Sequence, residues 1–218
     1  MRFVPPGFGI PSGYFLTASD DGIIKYWEAN SAQSVVPTSI QHVGHMAPVT
    51  DFIFLGPLNA ATGAIPGEVG WLWSCGEDGL VIMWTFRQAD PVMVNGTAHG
   101  GHIVNCLQDL LGPYPTAAGQ ITRSRVVVSG GADCKLNFWG KDGTCFHSVP
   151  ESSSVRCLAL VQDSPSVPGN PIEPARLLVA GLHDGSLSVR ATAMASDLSN
   201  NYGLLFRVSV TITNSPVL

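Results

Sequence analysis

Charge is scarce in this sequence: only 12% of its 218 residues are Asp, Glu, Lys or Arg. The 16 acidic residues outnumber the 11 basic ones, for a net charge of −5. No basic stripe is present, which argues against a nucleic-acid footprint, since that needs clustered Lys and Arg. No uninterrupted apolar run approaches the ~20 residues that span a bilayer. Met1-Arg-Phe-Val-Pro-Pro-Gly places two prolines and a glycine where a signal peptide needs an apolar core. The five cysteines are odd in number and include no Cys-x-x-Cys pair. Cys75, Cys106, Cys134, Cys145 and Cys157 are therefore expected to be reduced, buried thiols that behave as small apolar residues. The expectation is a soluble, intracellular protein (cytoplasmic or nuclear) without a membrane span, metal or cofactor.

What the chain does have is core material and turns: 45% hydrophobic residues, 24 glycines and 16 prolines. Its organising stretch is Gly13-Tyr-Phe-Leu-Thr-Ala-Ser-Asp-Asp-Gly-Ile-Ile-Lys-Tyr-Trp27. Two apolar runs meet at Asp21-Gly22, and Asp-Gly between strand-like runs is a strong hairpin signal because tight turns need residues that tolerate φ > 0. The object recurs at Trp71–Trp84 around Asp78, at Val126–Trp139 around Asp133, and at Leu177–Arg190 around Asp184. Each turn aspartate precedes the Trp position by six residues, and Arg190 fills that position in the last copy. Trp27 to Trp84 is 57 residues, Trp84 to Trp139 is 55, and Trp139 to Arg190 is 51.

Between hairpins the order repeats as strand, long loop, strand, Asp turn, strand, outer strand. Val49–Leu55, Ile103–Leu107 and Val155–Val161 read as first strands. Val104 to Leu111 also fits two turns of amphipathic helix, but its place in the repeat favours strand. Ser34-Val-Val, Pro91–Val94, Thr144–Val149 and Leu205–Ile212 read as outer strands, with a polar loop from the first of these to Gly44. Gly/Pro/Ala/Ser-rich insertions are expected at 56–70, 111–123 and 162–174. Tyr14-Phe-Leu, Trp71-Leu-Trp and Val126-Val-Val are apolar at consecutive positions, as strands covered on both faces must be. A four-stranded unit at this period is the signature of a propeller blade. The fold class expected is all-β, in units of approximately 1–40, 41–95, 96–149 and 150–212.

Gly44-His45 ahead of Val49, and Ser/Thr-x-x-x-Asp-x-x-x-x-x-Trp in three units, make the chain resemble the WD-repeat family of β-propellers over essentially its whole length. In that family a loop His, a strand Ser/Thr, the turn Asp and the Trp form a hydrogen-bonded chain that braces each blade. The resemblance implies His45, Ser74, Asp78 and Trp84 in the second unit. It implies Ser129, Asp133 and Trp139 in the third, with His102 or His99 as the histidine. The first unit offers Thr17, Asp21 and Trp27, its histidine position falling before Met1. The last keeps only Asp184, with Ala180 and Arg190 at two other places and Glu151 near the histidine slot. On the residues alone the bracing is sound, because a buried Asp needs donors and imidazole, hydroxyl and indole can supply them.

Three other chemistries compete for these residues. A Ser-His-Asp hydrolase needs one exposed serine at one site, whereas the trio here repeats from unit to unit. His99-Gly-Gly-His102 is half of a metal site, without partners at ligand spacing. The third is surface binding. The residues just before each turn aspartate, Asp20, Glu77, Ala132 and His183, with Glu151 nearby, are expected on one face of the propeller, called the top. They form an acidic surface suited to basic or donor-rich peptides. The function expected is a non-catalytic protein–protein interaction scaffold in a larger assembly. The alternative is a substrate-recruiting or regulatory subunit of an enzyme or RNA-processing complex, of ubiquitin-ligase or ribonucleoprotein type.

Four units fall short of the roughly seven blades at which such propellers usually close. An incomplete or open ring is expected, needing further blades or a partner chain. Tyr14 and Leu16 would be exposed at one end, and Leu178, Leu205 and Val208 at the other.

Overall fold

A computed structural model describes residues 1–4, 13–31, 34–55, 70–86, 89–162, 176–192 and 202–209. Among them are sixteen strands and no helix. The first blade holds β1 (Arg2–Phe3), β2 (Tyr14–Ala18), β3 (Ile23–Ser31) and β4 (Ser34–Val43). The second holds β5 (Val49–Leu55), β6 (Trp71–Gly76), β7 (Val81–Thr85) and β8 (Met93–Asn95). The third holds β9 (Val104–Pro115), β10 (Ile121–Gly131), β11 (Lys135–Trp139) and β12 (Cys145–Pro150). The fourth holds β13 (Val155–Gln162), β14 (Arg176–Leu182), β15 (Ser186–Ala191) and β16 (Leu204–Ser209). Each blade is one antiparallel sheet with its strands in chain order. This is a β-propeller arrangement of four visible blades.

Each central hairpin closes through its aspartate turn. Gly22, Gly79 and Gly185 donate their N–H groups to the carbonyls of Ser19, Gly76 and Leu182 at 3.1–3.2 Å. All three have φ between 74° and 82°, the pattern of a three-residue hairpin loop ending in a left-handed residue. The third turn has Cys134 there instead, at φ 60°. The aspartate one position earlier accepts from the N–H two residues on, in all four turns: Ile23, Leu80, Lys135 and Ser186. That local bond favours turn over continued strand.

The strand period of two assigns each blade two faces, and the turn aspartate sets the phase. Five residues before it, and three and five after it, stand Leu16, Ile24 and Tyr26 in the first blade. The second blade has Trp73, Val81 and Met83 there, and the third has Val128, Leu136 and Phe138. All nine are at most 3% exposed and pack toward the following blade. The receiving face carries the residues six before and six after: Leu72 and Trp84, Val127 and Trp139, Leu178 and Arg190. Three core clusters result, one for each pair of consecutive blades. Trp73 meets Trp139 at 6.2 Å between ring centroids, and Tyr202 of the fourth blade lies 4.0 Å from Phe138 of the third. Fully burying side chains of this size contributes about 2–3 kcal/mol each.

Several expectations need correcting. Leu16 and Leu178 are fully buried, because their strand phase points them at the neighbouring blade; Tyr14 shares the phase of Leu16. Leu205 and Val208 are exposed as expected, at 53% and 44%. The 111–123 segment is no loose insertion, since β9 and β10 extend through it as a long hairpin closed at Thr116 and Gln120. Val104–Leu111 is strand, and the polar loop expected after Ser34-Val-Val is strand as well, through Val43. The other two insertions, at 56–69 and 163–174, and the strand residues Val210–Ile212 lie outside the described residues. All five cysteines are free, but only Cys75 and Cys106 are buried; Cys134 and Cys145 are half-buried and Cys157 is exposed.

Candidate interaction surface

The Ser, His, Asp and Trp side chains of the second blade converge through three strand-borne positions and one loop. β6 brings Ser74, the turn brings Asp78, β7 brings Trp84, and the loop before β5 brings His45. Trp84 donates its indole N–H to Ser74 Oγ at 2.8 Å. Ser74 donates to His45 Nε2 at 2.8 Å. His45 donates from Nδ1 to Asp78 at 2.9 Å, which fixes its tautomer as the neutral Nδ1–H form. Burial holds this imidazole below its ordinary titration range, although the Asp78 carboxylate pulls the other way. The third blade repeats the chain with Trp139, Ser129, His99 and Asp133, at 2.8, 2.7 and 2.8 Å. Here the histidine is His99; the expectation of His102 does not hold, because His102 is exposed one turn further on.

A glycine stands two residues before the aspartate in both complete chains. A Cβ on Gly76 would lie 2.8 Å from both His45 Nδ1 and Asp78 Oδ1. On Gly131 it would lie 2.5 Å from His99 Nδ1 and 2.6 Å from Asp133 Oδ1. The blades without such a histidine carry Ser19 and Leu182 there. That spacing was readable in the sequence and was missed.

In the first blade Trp27 donates to Thr17 at 2.8 Å, while Asp21 pairs with Lys25 instead. Lys25 is the first cause of the lowered Asp21 carboxyl pKa, followed by the Ile23 N–H. In the fourth blade, among the described residues, Asp184 accepts from Ser186 and Ser152, and these bonds lower its carboxyl pKa, Ser186 foremost.

Glu151 departs furthest from expectation. It is not an exposed binding residue: its side chain is 0% exposed. Its Oε1 accepts from Arg190 Nε at 2.7 Å and Ser188 Oγ at 2.9 Å, and its Oε2 from Arg207 at 2.9 Å. Arg190 places its other donors on the carbonyls of Pro150 and Tyr202 at 3.0 Å. Arg190 stands at the Trp position and Glu151 near the histidine position. The hydroxyl missing at Ala180 comes from Ser188, its direct cross-strand partner. The fourth blade thus has a brace of different chemistry, with the buried Arg190–Glu151 ion pair standing where the others have Trp and His.

The top face is what these braces support. Asp20, Glu77 and His183 are exposed there, each on the hairpin turn of a different blade. Arg156 donates to His183 Nδ1 at 3.2 Å, and exposed Lys135 follows the third turn, so some positive charge stands among the acidic residues of this face.

No side chain of the two complete chains is a free nucleophile. Ser74 and Ser129 are fully buried and each is engaged twice. Both ring nitrogens of His99 are occupied. The first strands of three blades line a cleft of about 450 Å³. Its charges are internally paired: Arg2 with Asp51 at 2.9 Å and Asp109 with Arg125 at 3.1 Å.

These sheets, turns and braces define a β-propeller of WD40 type. No family model and no curated protein sequence matches the chain. A chain in the crystal structure of the mitotic checkpoint complex is similar to it, with a TM-score of 0.58 at 17% identity, over 94% of this chain. The match spans 51% of that longer chain, about half its length. In all, 736 solved chains resemble the fold, so the architecture by itself assigns no specific task.

Proposed function

We propose that this chain is a WD-repeat protein and a non-catalytic, intracellular protein-interaction scaffold working within a larger complex. The observation that carries this reading is a division of labour among polar residues. The Ser, His, Asp and Trp groups that could do chemistry are spent on bracing. The polar residues left exposed include Asp20, Glu77 and His183, on the hairpin turns of the first, second and fourth blades, and Arg156 at the start of β13 beside His183. A rigid geometry with turn residues left free suits recognition of a peptide or loop of complementary charge. The similar chain in a mitotic checkpoint complex, itself part of a multi-protein assembly by its title, supports the same direction. Direct nucleic-acid binding is not part of the proposal, and the open end of the blade array leaves room for further blades or a partner chain. Among the described residues no helix is long and apolar enough to cross a membrane.

The test is affinity purification from native cells with the wild-type chain beside an Asp20→Arg/Glu77→Arg variant, read by mass spectrometry. A set of proteins retained by the wild type and lost by the variant is expected. Identical sets would refute the role of the top face. Ubiquitin-ligase or ribonucleoprotein components in the lost set would move the assignment to a recruiting subunit. Covalent labelling by a serine-directed phosphonate probe would overturn the scaffold reading altogether.

A further inference from the structure

We infer that the outer edge of β10, over residues 121–126, is a docking site for an extended acidic segment of another protein, which joins it as an added strand. This gives the scaffold a second surface, at the end of the third blade opposite the top face, and does not depend on that face.

The edge exists because neighbouring strands differ in length. β10 has 11 residues and β11 has 5. β11 stops at Trp139, opposite Val127. β9 instead accompanies β10 as far as Ile121, opposite Pro115. Among the described residues, 121–126 is therefore flanked by a strand on one side only. The hairpin is not loose there. The Tyr114 ring meets Phe146 edge-on at 5.1 Å, so the edge is presented pre-formed, which lowers the ordering cost of binding.

The hairpin turn decides which backbone groups face outward. Thr116 donates its N–H to Gln120 O at 2.8 Å and Gly119 donates to Thr116 O at 2.9 Å, with Gly119 left-handed at φ 76°. Thr116 and Gln120 are thus the first bonded pair, and bonded and non-bonded pairs alternate along an antiparallel ladder. The register holds without a shift up to Gly130. Thr122, Ser124 and Val126 therefore bond to β9, while Ile121, Arg123 and Arg125 turn their N–H and C=O groups away from it. Two bonds on β9 fix the same phase. The Leu107 N–H and the Pro113 carbonyl belong to non-bonded pairs, and both are engaged away from β10, with Asp51 at 3.0 Å and the Tyr202 hydroxyl at 2.6 Å.

The two edges of this hairpin are built differently. On β9 the outward N–H positions are residues 113 and 115, and both are proline, which has no N–H to offer. Tyr202 also occupies the Pro113 carbonyl. On β10 residues 121–126 include no proline and no bulge. A strand edge left without such protection is a template for a further strand, whose main-chain bonds supply the affinity.

Charge selects the occupant. The charged residues within 121–126 are Arg123 and Arg125, with no acidic residue among them. Arg125 meets Asp109 at 3.1 Å and still keeps 27% of its side chain exposed. Antiparallel pairing of the whole edge with a second copy sets Arg123 opposite Arg123, and like charges directly opposite destabilise a sheet. An acidic strand brings the complementary sign to the same positions.

The experiment selects binders from a random-peptide phage library on the whole chain and maps them by amide exchange in NMR. The selected peptides should be acidic, rich in β-branched residues and poor in proline. They should bind Arg123→Pro and Ile121→Pro about tenfold more weakly than wild type. Each variant removes one outward N–H and leaves the bonds to β9 in place. Ile121→Pro keeps both arginines, and serves as the second variant should Arg123→Pro melt at a lower temperature. In the chain alone the amides of Ile121, Arg123 and Arg125 should exchange faster than those of Thr122, Ser124 and Val126, and bound peptide should slow them. An empty selection, peptides without acidic residues, or peptides that bind both variants as tightly as wild type would overturn the inference. So would three outward amides already slow in the chain alone, or a dimer in sedimentation that Arg123→Pro dissolves, which would make a second copy the occupant. Asp20→Arg/Glu77→Arg should bind the same peptides unchanged, so this result and the top-face reading stand or fall separately.

Discussion

Removing the Glu151 carboxylate tests whether the fourth blade is braced or degenerate. Glu151→Ala leaves the Arg190 guanidinium, 6% exposed, without its counter-ion, and leaves Ser188 Oγ without its acceptor. Breaking a buried ion pair from one side costs about 3–5 kcal/mol, because the remaining charge stays desolvated. Arg190 still has the Pro150 and Tyr202 carbonyls, which places the expected loss near the bottom of that range, about 3 kcal/mol. For a chain of this size that is roughly 6–12 °C in Tm, read by calorimetry and checked by urea midpoint. Asp78→Ala should also lower Tm clearly, since His45 and the Met46 and Leu80 N–H groups lose their acceptor. Asp184→Ala should cost visibly less than either, because among the described residues Asp184 holds its own turn and Ser152 at the surface. The double variant Glu151→Ala/Arg190→Leu should recover part of the loss, since the buried charge is gone and Arg207, the other partner of Glu151, is one-third exposed and stays solvated. Equal midpoints for Glu151→Ala and Asp184→Ala, or a double variant worse than the sum of its singles, would refute this account.

Three further outcomes are expected. His99→Ala should destabilise by more than about 1 kcal/mol by leaving Ser129 and Asp133 short of a partner, while exposed His102→Ala should leave the urea midpoint unchanged; the reverse ranking would return the brace to His102. Cys134→Gly should raise stability by about 1 kcal/mol, because the left-handed φ of 60° strains a residue with a Cβ, and an unchanged Tm would show that the turn adapts. Burial pushes the His42 imidazole, bonded to Tyr26, from 6.5 down to about 4 and holds His45 and His99 below their ordinary value; the unfolded chain then binds more protons below pH 6.5, so Tm should fall as pH drops from 6.5 toward about 4, and a flat profile would contradict it.

The hairpins were legible because their signals are local. Asp-Gly turns, apolar runs of strand length and a fixed six-residue step to Trp depend on neighbours in sequence, and all four hairpins stand where those signals placed them. Ser74, Asp78 and Trp84 of the second blade were readable for a related reason, since they stand at set distances along one hairpin. What escaped depended on register across strands. Choosing His99 over His102 requires knowing how far the β8–β9 loop reaches. Putting Ser188 in place of the hydroxyl absent at Ala180 requires the pairing of β14 with β15. The burial of Leu16 and Leu178, and the exposure of Leu187, follow from a strand phase that consecutive apolar residues conceal. Glu151 looked like a surface acid because its partners, Arg190 and Arg207, lie 39 and 56 residues away.

Asp51 sits where three blades meet. Its Oδ1 accepts from Arg2 of the first blade at 2.9 Å, its Oδ2 from the Leu107 N–H of the third at 3.0 Å, and its backbone belongs to the second. An array whose units touch only adjacent units unfolds like a one-dimensional chain, fraying from either end with each boundary independent. A carboxylate that spans two boundaries at once adds a next-nearest-neighbour coupling to that chain. Peeling the first blade away then weakens the seam between the second and third. The first three blades should therefore exchange their amide protons as a single cooperative unit, with the fourth, which this carboxylate does not reach, free to open on its own schedule.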